Sequence, residues 1–321
     1  MNYRRLFTLV FSTVLTGFAS FAQENGAQDL RRKEDSLRVF ADSMINANEA
    51  HHRFRADSHF VRTLVRALKI KNSFAYPFDS IRSVSRLYAP DSTFRIFTWQ
   101  LKRDEYVYLQ KGAIQMNTNS GELKLYPLFD FSMFTGKPED SVRTHENWIG
   151  AIYYRIIMKE HRGKKFYTLL GFDDFSVSSN KKWMEVLTFN ERGAPVFGGP
   201  YISFKNDTAN KPVQSRFSIE YKKEANTHFN YDPELDMIVF DHLISETEEP
   251  ERKSTYIPDG SYEGFAWKNG QWVHVDKVFD FALQDGQFPI DARLRDDKGN
   301  INEEKLEEAS RKNLERSNNK R

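Results

Sequence analysis

The chain has 321 residues, with 47 basic and 45 acidic side chains, no cysteine, and 14% aromatics that include 27 Phe. The near balance of charge argues against nucleic acid as a partner, because such domains are usually strongly basic. The absence of cysteine excludes disulfides, thiol catalysis, Cys-based zinc sites and a lipidated N-terminal cysteine.

The N-terminus reads as an export signal over residues 1–22. Arg4 and Arg5 form a basic n-region, an apolar run extends from Leu6 to about Phe18, and Ser20 and Ala22 are the small residues at the cleavage positions. The run falls short of the roughly 20 apolar residues that a spanning helix needs, so cleavage after Ala22 is expected. No later segment has spanning length, so the mature chain is expected to be soluble, with no transmembrane segment, in the periplasm or secreted.

Residues 23–90 read as a helical N-terminal segment. Leu37, Phe40, Ala41 and Met44 recur at helical spacing over about 29–48. Phe54, Val61, Leu64, Val65 and Leu68 do so over about 50–70. The opposite face of the second helix carries Arg53, Arg55, Arg62, Arg66 and Lys69, which reads as a solvated face rather than an anion or membrane site. A third, short helix is expected near Ser80 to Leu87.

From 91 to 290 the period changes to that of strands. Alternating segments begin at Thr93, Glu105, Trp148, Lys165, Trp183, Arg216 and Met237, separated by turn residues such as Asn119-Ser120-Gly121 and Glu191-Arg192-Gly193. Tyr262–Trp267, then Asn269-Gly270, then Trp272–Val278 is the clearest hairpin, since Asn-Gly suits a type I′ turn. At least ten strands without helical crossovers imply a mainly β fold, an antiparallel meander that is propeller-like or a sandwich. Residues 291–321 are heavily charged and read as a disordered tail.

No local motif announces chemistry. Of the eight histidines, none lies in His-Glu-x-x-His; His52 and His59, with Asp57 nearby, share a helix face that reads as ordinary polar surface, and no metal or cofactor is expected. Gly260-Ser261-Tyr262-Glu263-Gly264 lacks the spacing of a nucleophile elbow and reads as a turn entering the Tyr262 strand. No phosphate-cradling glycine loop and no calcium loop is present. Carboxylates after strands remain: Asp130, and above all Asp173 and Asp174, the weak catalytic candidates, which suit glycoside hydrolysis if two acids converge. Turn formation is the simpler role for such residues.

Asp followed by Ser or Thr and a third, mostly apolar, residue recurs at Asp35, Asp42, Asp79, Asp91, Asp140 and Asp207. This pattern resembles the O-glycosylation signal of exported Bacteroidota proteins. The stretches Ser73–Asp79, Phe94–Trp99 and Tyr256–Phe265 resemble a family of exported proteins from the same phylum. That resemblance covers most of the mature chain, implies an envelope location and brings no activity or site residue. The charged tail does not resemble the β-rich sorting module of surface secretion in that phylum, which favours the periplasm.

Three functions follow as alternatives. One is a non-enzymatic module binding an envelope protein or glycan, with Trp148, Trp183, Trp267 and Trp272 as candidates for exposed contacts. Another is an envelope polysaccharide or peptide hydrolase using Asp173 and Asp174. The third is an oligomeric scaffold, which requires an exposed apolar stripe on Leu37, Phe40, Met44, Val61 and Leu68.

Overall fold

A computed structural model describes residues 26–279, apart from 105 and 206–210. The export signal, the Asp207 motif and the charged tail lie outside the described residues. Contacts divide the chain into one unit ending at Val278 and a second from Phe279 to Arg321. All elements below belong to the first.

Two helices come first, α1 over 26–46 and α2 over Ala50–Leu68. The strands then form three successive sheets. The first sheet is a four-stranded antiparallel meander, β1 (Ser85–Tyr88), β2 (Phe94–Lys102), β3 (Tyr108–Met116) and β4 (Lys124–Phe129), in that order. The second contains β5 (Arg143–Thr144), β6 (Ile152–His161), β7 (Lys164–Asp173), β8 (Ser179–Phe189), β9 (Pro195–Phe197) and β11 (Arg216–Lys222). The third contains β10 (Ile202–Ser203), β12 (Phe229–Asp232), β13 (Met237–Ser245), β14 (Tyr256–Lys268) and β15 (Gln271–Val275). Every strand pair is antiparallel except β10 with β15. None of the sheets closes on itself, so the mainly β antiparallel expectation holds.

Strand alternation explains the layering. In β2, Phe97, Trp99 and Leu101 face the helices, where they meet Leu37, Met44, Phe60, Leu64 and Leu68. Phe94 and Ile96 face the other way and pack with Tyr167, Leu169, Trp183 and Leu187 of the second sheet. The alternate residues of that sheet, Phe166, Leu170, Met184 and Val186, pack on Ile238, Phe240, Phe265 and Trp272 of the third. Successive side chains point to opposite faces, so a strand buried on both sides is apolar at nearly every position. The chain thus builds helices, first sheet, second sheet and third sheet as consecutive layers.

Several local expectations need correction. The segment near Ser80 to Leu87 is not a helix: Ser85–Tyr88 is an edge strand paired with Arg95–Thr98, and that tertiary pairing overrides the local helical pattern. Gly260 does not open a strand but lies within β14, which already begins at Tyr256, and takes φ +88° as a bend. The stripe of Leu37, Met44 and Leu68 is not exposed but buried against the first sheet, with Phe40 and Val61 partly buried beside it. Asn269 and Gly270 both take positive φ, as a type I′ turn requires.

Candidate functional site

Helix α2 presents Val61, Leu64, Val65 and Leu68 at helical spacing toward the first sheet. Its contacts are with β2, so the same sheet face continues past it on β3 and β4. Between the helix and these strands lies a groove of about 390 Å³. Leu109, Ala113, Leu125 and Pro127 form its floor. Pro127 has no N–H to offer, which an edge strand such as β4 tolerates. One ion pair lies in the wall: Lys111 binds Asp57, whose other oxygen accepts the Trp99 indole N–H at 3.1 Å.

The rim is a run of large apolar residues in open solvent. Phe134 is 75% exposed, Met133 64% and Phe129 57%, with Phe131 exposed beside them. Phe129, Met133 and Phe134 line the groove. The loop is braced. Phe129 N–H donates to His145 O at 2.8 Å and Phe131 N–H to Trp148 O at 2.7 Å. Asp130 accepts from Ser132 N–H at 2.9 Å and from Gly150 N–H at 3.1 Å. A short 3-10 turn, Ser132–Phe134, holds Met133 and Phe134 outward. Asp130 is therefore a turn-forming residue that fixes the loop.

The predicted carboxylates meet behind this groove. Gln110 on β3 links them, its N–H donating to Asp130 at 3.3 Å and its side-chain amide to Asp173 at 2.8 Å. Asp173 ends β7 and is only 9% exposed. Burial pushes its carboxyl up to about 7; the Gln110 hydrogen bond opposes this and the Asp130 charge adds to it. Asp174 points elsewhere, as the strand period requires, and is held by Lys223 with Gln100 at 3.5 Å. Thus Asp173 and Asp130 converge while Asp173 and Asp174 serve separate contacts. Gln110 and Asp130 line the groove and Asp173 does not.

The other singled-out residues have structural places. Trp148, Trp183 and Trp272 are buried, and Trp267 packs partly buried in the third layer. Arg53 is not on a solvated face. It is buried, donating to Lys102 O at 2.9 Å and to the carbonyls of Ala47 and Asn48 at 2.9 and 2.6 Å. Arg55, Arg62, Arg66 and Lys69 are exposed as expected. His59 stacks on Phe40 rather than joining His52. Ser80 donates to Glu34 of α1 at 2.8 Å, a tertiary contact, while Thr93 donates to Asp91 at 2.8 Å within its own turn.

A wider depression of about 990 Å³ lies at the hairpin ends carrying Lys164, Lys165 and Arg192. Its charged groups are well served by water, whereas the apolar rim at Phe129–Phe134 is not. Sequence reading overlooked that rim because it ranked tryptophans first. The available signal was Phe129-Asp130-Phe131-Ser132-Met133-Phe134 itself, an apolar-rich run continuing beyond the end of a strand into a turn. No protein family, no curated protein and no solved structure matches the chain.

Proposed function

We propose that this chain is an exported, non-enzymatic binding protein of the cell envelope whose groove takes an apolar segment of a partner protein. The observation that carries this reading is the pairing of an apolar groove with a braced, exposed rim of Phe129, Phe131, Met133 and Phe134. Large exposed apolar patches mark interaction sites, and aromatic residues and Met are enriched in interfaces. A groove of 390 Å³ holds one or two large side chains. Gln110, Lys111 and Asp130 are the polar and charged groups lining it, and all three already have partners. That is sparse for a glycan, which needs many hydrogen bonds. The N-terminal signal pattern and the likeness to exported Bacteroidota proteins support the envelope location.

The test is a peptide display selection on the purified mature protein. Selected peptides should share one or two large apolar anchors, and Met133→Ser with Phe134→Ser should weaken them at least about tenfold. Selection of no peptide, together with retention of an oligosaccharide, would transfer the site to glycan recognition.

A second reading rests on the convergence of Asp173 and Asp130. A protonated acid beside another carboxylate is the arrangement a glycoside hydrolase uses. Turnover of envelope polysaccharide that disappears in Asp173→Asn and Asp130→Asn while folding is kept would favour it over binding alone. Among the Asp-Ser motifs, Asp140-Ser141-Val142 presents an exposed third residue, and glycan there would appear as a mass increase lost in Ser141→Ala.

A further inference from the structure

The third sheet brings together two histidines and three carboxylates at one end of one face. Glu263 on β14 and His274 on β15 approach to 2.7 Å between Oε2 and Nε2. Asp276 follows His274 by two residues, so the strand period returns it toward the same face. One ligand atom from each of Glu263, His274 and Asp276 lies within 4.8 Å of the others. His242 on β13 adds its Nε2 at 3.7 Å from the other Glu263 oxygen.

The surroundings orient these groups. His274 is only 4% exposed and is enclosed by Phe204 and Phe265, with ring centroids at 5.2 and 5.3 Å. Its ring is fixed with Nε2 aimed at Glu263. His242 is half-buried, and its Nδ1 donates to Asp259 at 2.7 Å. Asp259 is itself held by Ser261, whose N–H and hydroxyl donate to it at 2.9 and 2.7 Å. A carboxylate on Nδ1 sets the tautomer that leaves the Nε2 lone pair free, which is the usual outer support of a metal-binding imidazole. The β-bulge between Asp241 and Leu243 breaks the β13 register at His242, and bulges re-aim side chains beside functional sites.

We propose that Glu263, His274, His242 and Asp276 form a binding site for one divalent transition-metal ion of the zinc class, with Asp259 as the positioning residue for His242. Two imidazole nitrogens and two carboxylate oxygens suit zinc or cobalt better than calcium or magnesium, which favour all-oxygen sets. The ligands come from three adjacent strands, so no short spacing in the sequence announces them. Bound metal would tie β13, β14 and β15 together at the bulge. The site is independent of the groove.

The test is titration of the full mature protein with zinc by calorimetry and with cobalt by visible absorption. One ion per chain should bind, with cobalt giving ligand-field bands and zinc raising the melting temperature in a way that a chelator reverses. His242→Ala alters a half-buried residue and Asp276→Asn an exposed one, and both should keep the fold while weakening metal at least about tenfold; Asp259→Asn should weaken it by roughly tenfold through orientation alone. No binding up to millimolar metal would overturn the proposal. So would binding that His242→Ala, Asp276→Asn and Glu263→Gln all leave unchanged, which would place the ion elsewhere.

Discussion

Burying a carboxylic acid costs stability once the group must ionise, and Asp173 carries that cost here. Its carboxyl titrates near 7 in the folded chain, above the ordinary value of 3.8, because burial disfavours the charge. Between about pH 4 and 7 the folded state therefore holds a proton that the unfolded state has lost. The contribution of this group to stability falls as pH rises through that window. Asp173→Asn should remove the penalty, gaining a few kcal/mol relative to the parent at pH 7.5 but little at pH 4, as read by urea unfolding at both values. Equal shifts at the two pH values would show that Asp173 is not held neutral. Arg216 poses the opposite case. Its Nε donates to Glu185 at 2.6 Å, both side chains being buried, and Glu185 also accepts the Tyr153 hydroxyl. Arg216→Met strands Glu185 without its counter-charge and should cost about 3–5 kcal/mol. The double variant with Glu185→Met should recover part of that loss; no recovery would mean that the packing, not the charge, was at stake.

At the scale of elements, the groove loop depends on a close approach at Gly150. A Cβ there would stand 2.2 Å from the Gln110 Cβ and 2.7 Å from the Asp130 Cγ. Gly150→Ala should therefore cost about 1–3 kcal/mol by overpacking and should also loosen the Phe129–Phe134 loop, visible as faster amide exchange there. An unchanged exchange pattern would separate the loop from its brace. The helices, the strands and their turns were legible in sequence because each is a local signal. Leu37 to Met44 follows the helical period, and Asn269-Gly270 supplies the positive φ of its turn. The Ser80–Leu87 segment was misread because its pairing with β2 is a tertiary fact that outweighs local propensity. The stacking of the sheets was not legible: a strand such as Phe94–Leu101, with large apolar residues on both alternations, is suited to burial on both faces without naming the neighbour. Asp130 and Asp173 were named as separate loop acids, and only Gln110, from a third strand, brings them together. His242, Glu263 and His274 stayed unmarked for the same reason.

At the scale of the whole described unit, the consecutive layers leave the far side of the first sheet only partly covered. The helices close over β2, and the groove is the uncovered remainder on β3 and β4. Helical cover that stops short of the sheet edge gives a surface both apolar and rigid, suited to docking without large rearrangement. The proposed export adds a separate expectation: N-terminal sequencing of the protein isolated from its cells should begin at Gln23, and a chain that retains Met1 would contradict signal cleavage. The binding reading is tested most directly by site-specific photocrosslinking in living cells, with a photoreactive phenylalanine analogue at Phe134 and, as a control, at Phe189 beside the larger charged depression. The account predicts a discrete crosslinked partner from Phe134 that Val65→Glu, at a half-buried groove residue, abolishes, and none from Phe189. Crosslinking from Phe189 alone, or from both positions without sensitivity to Val65→Glu, would contradict the groove as the binding site.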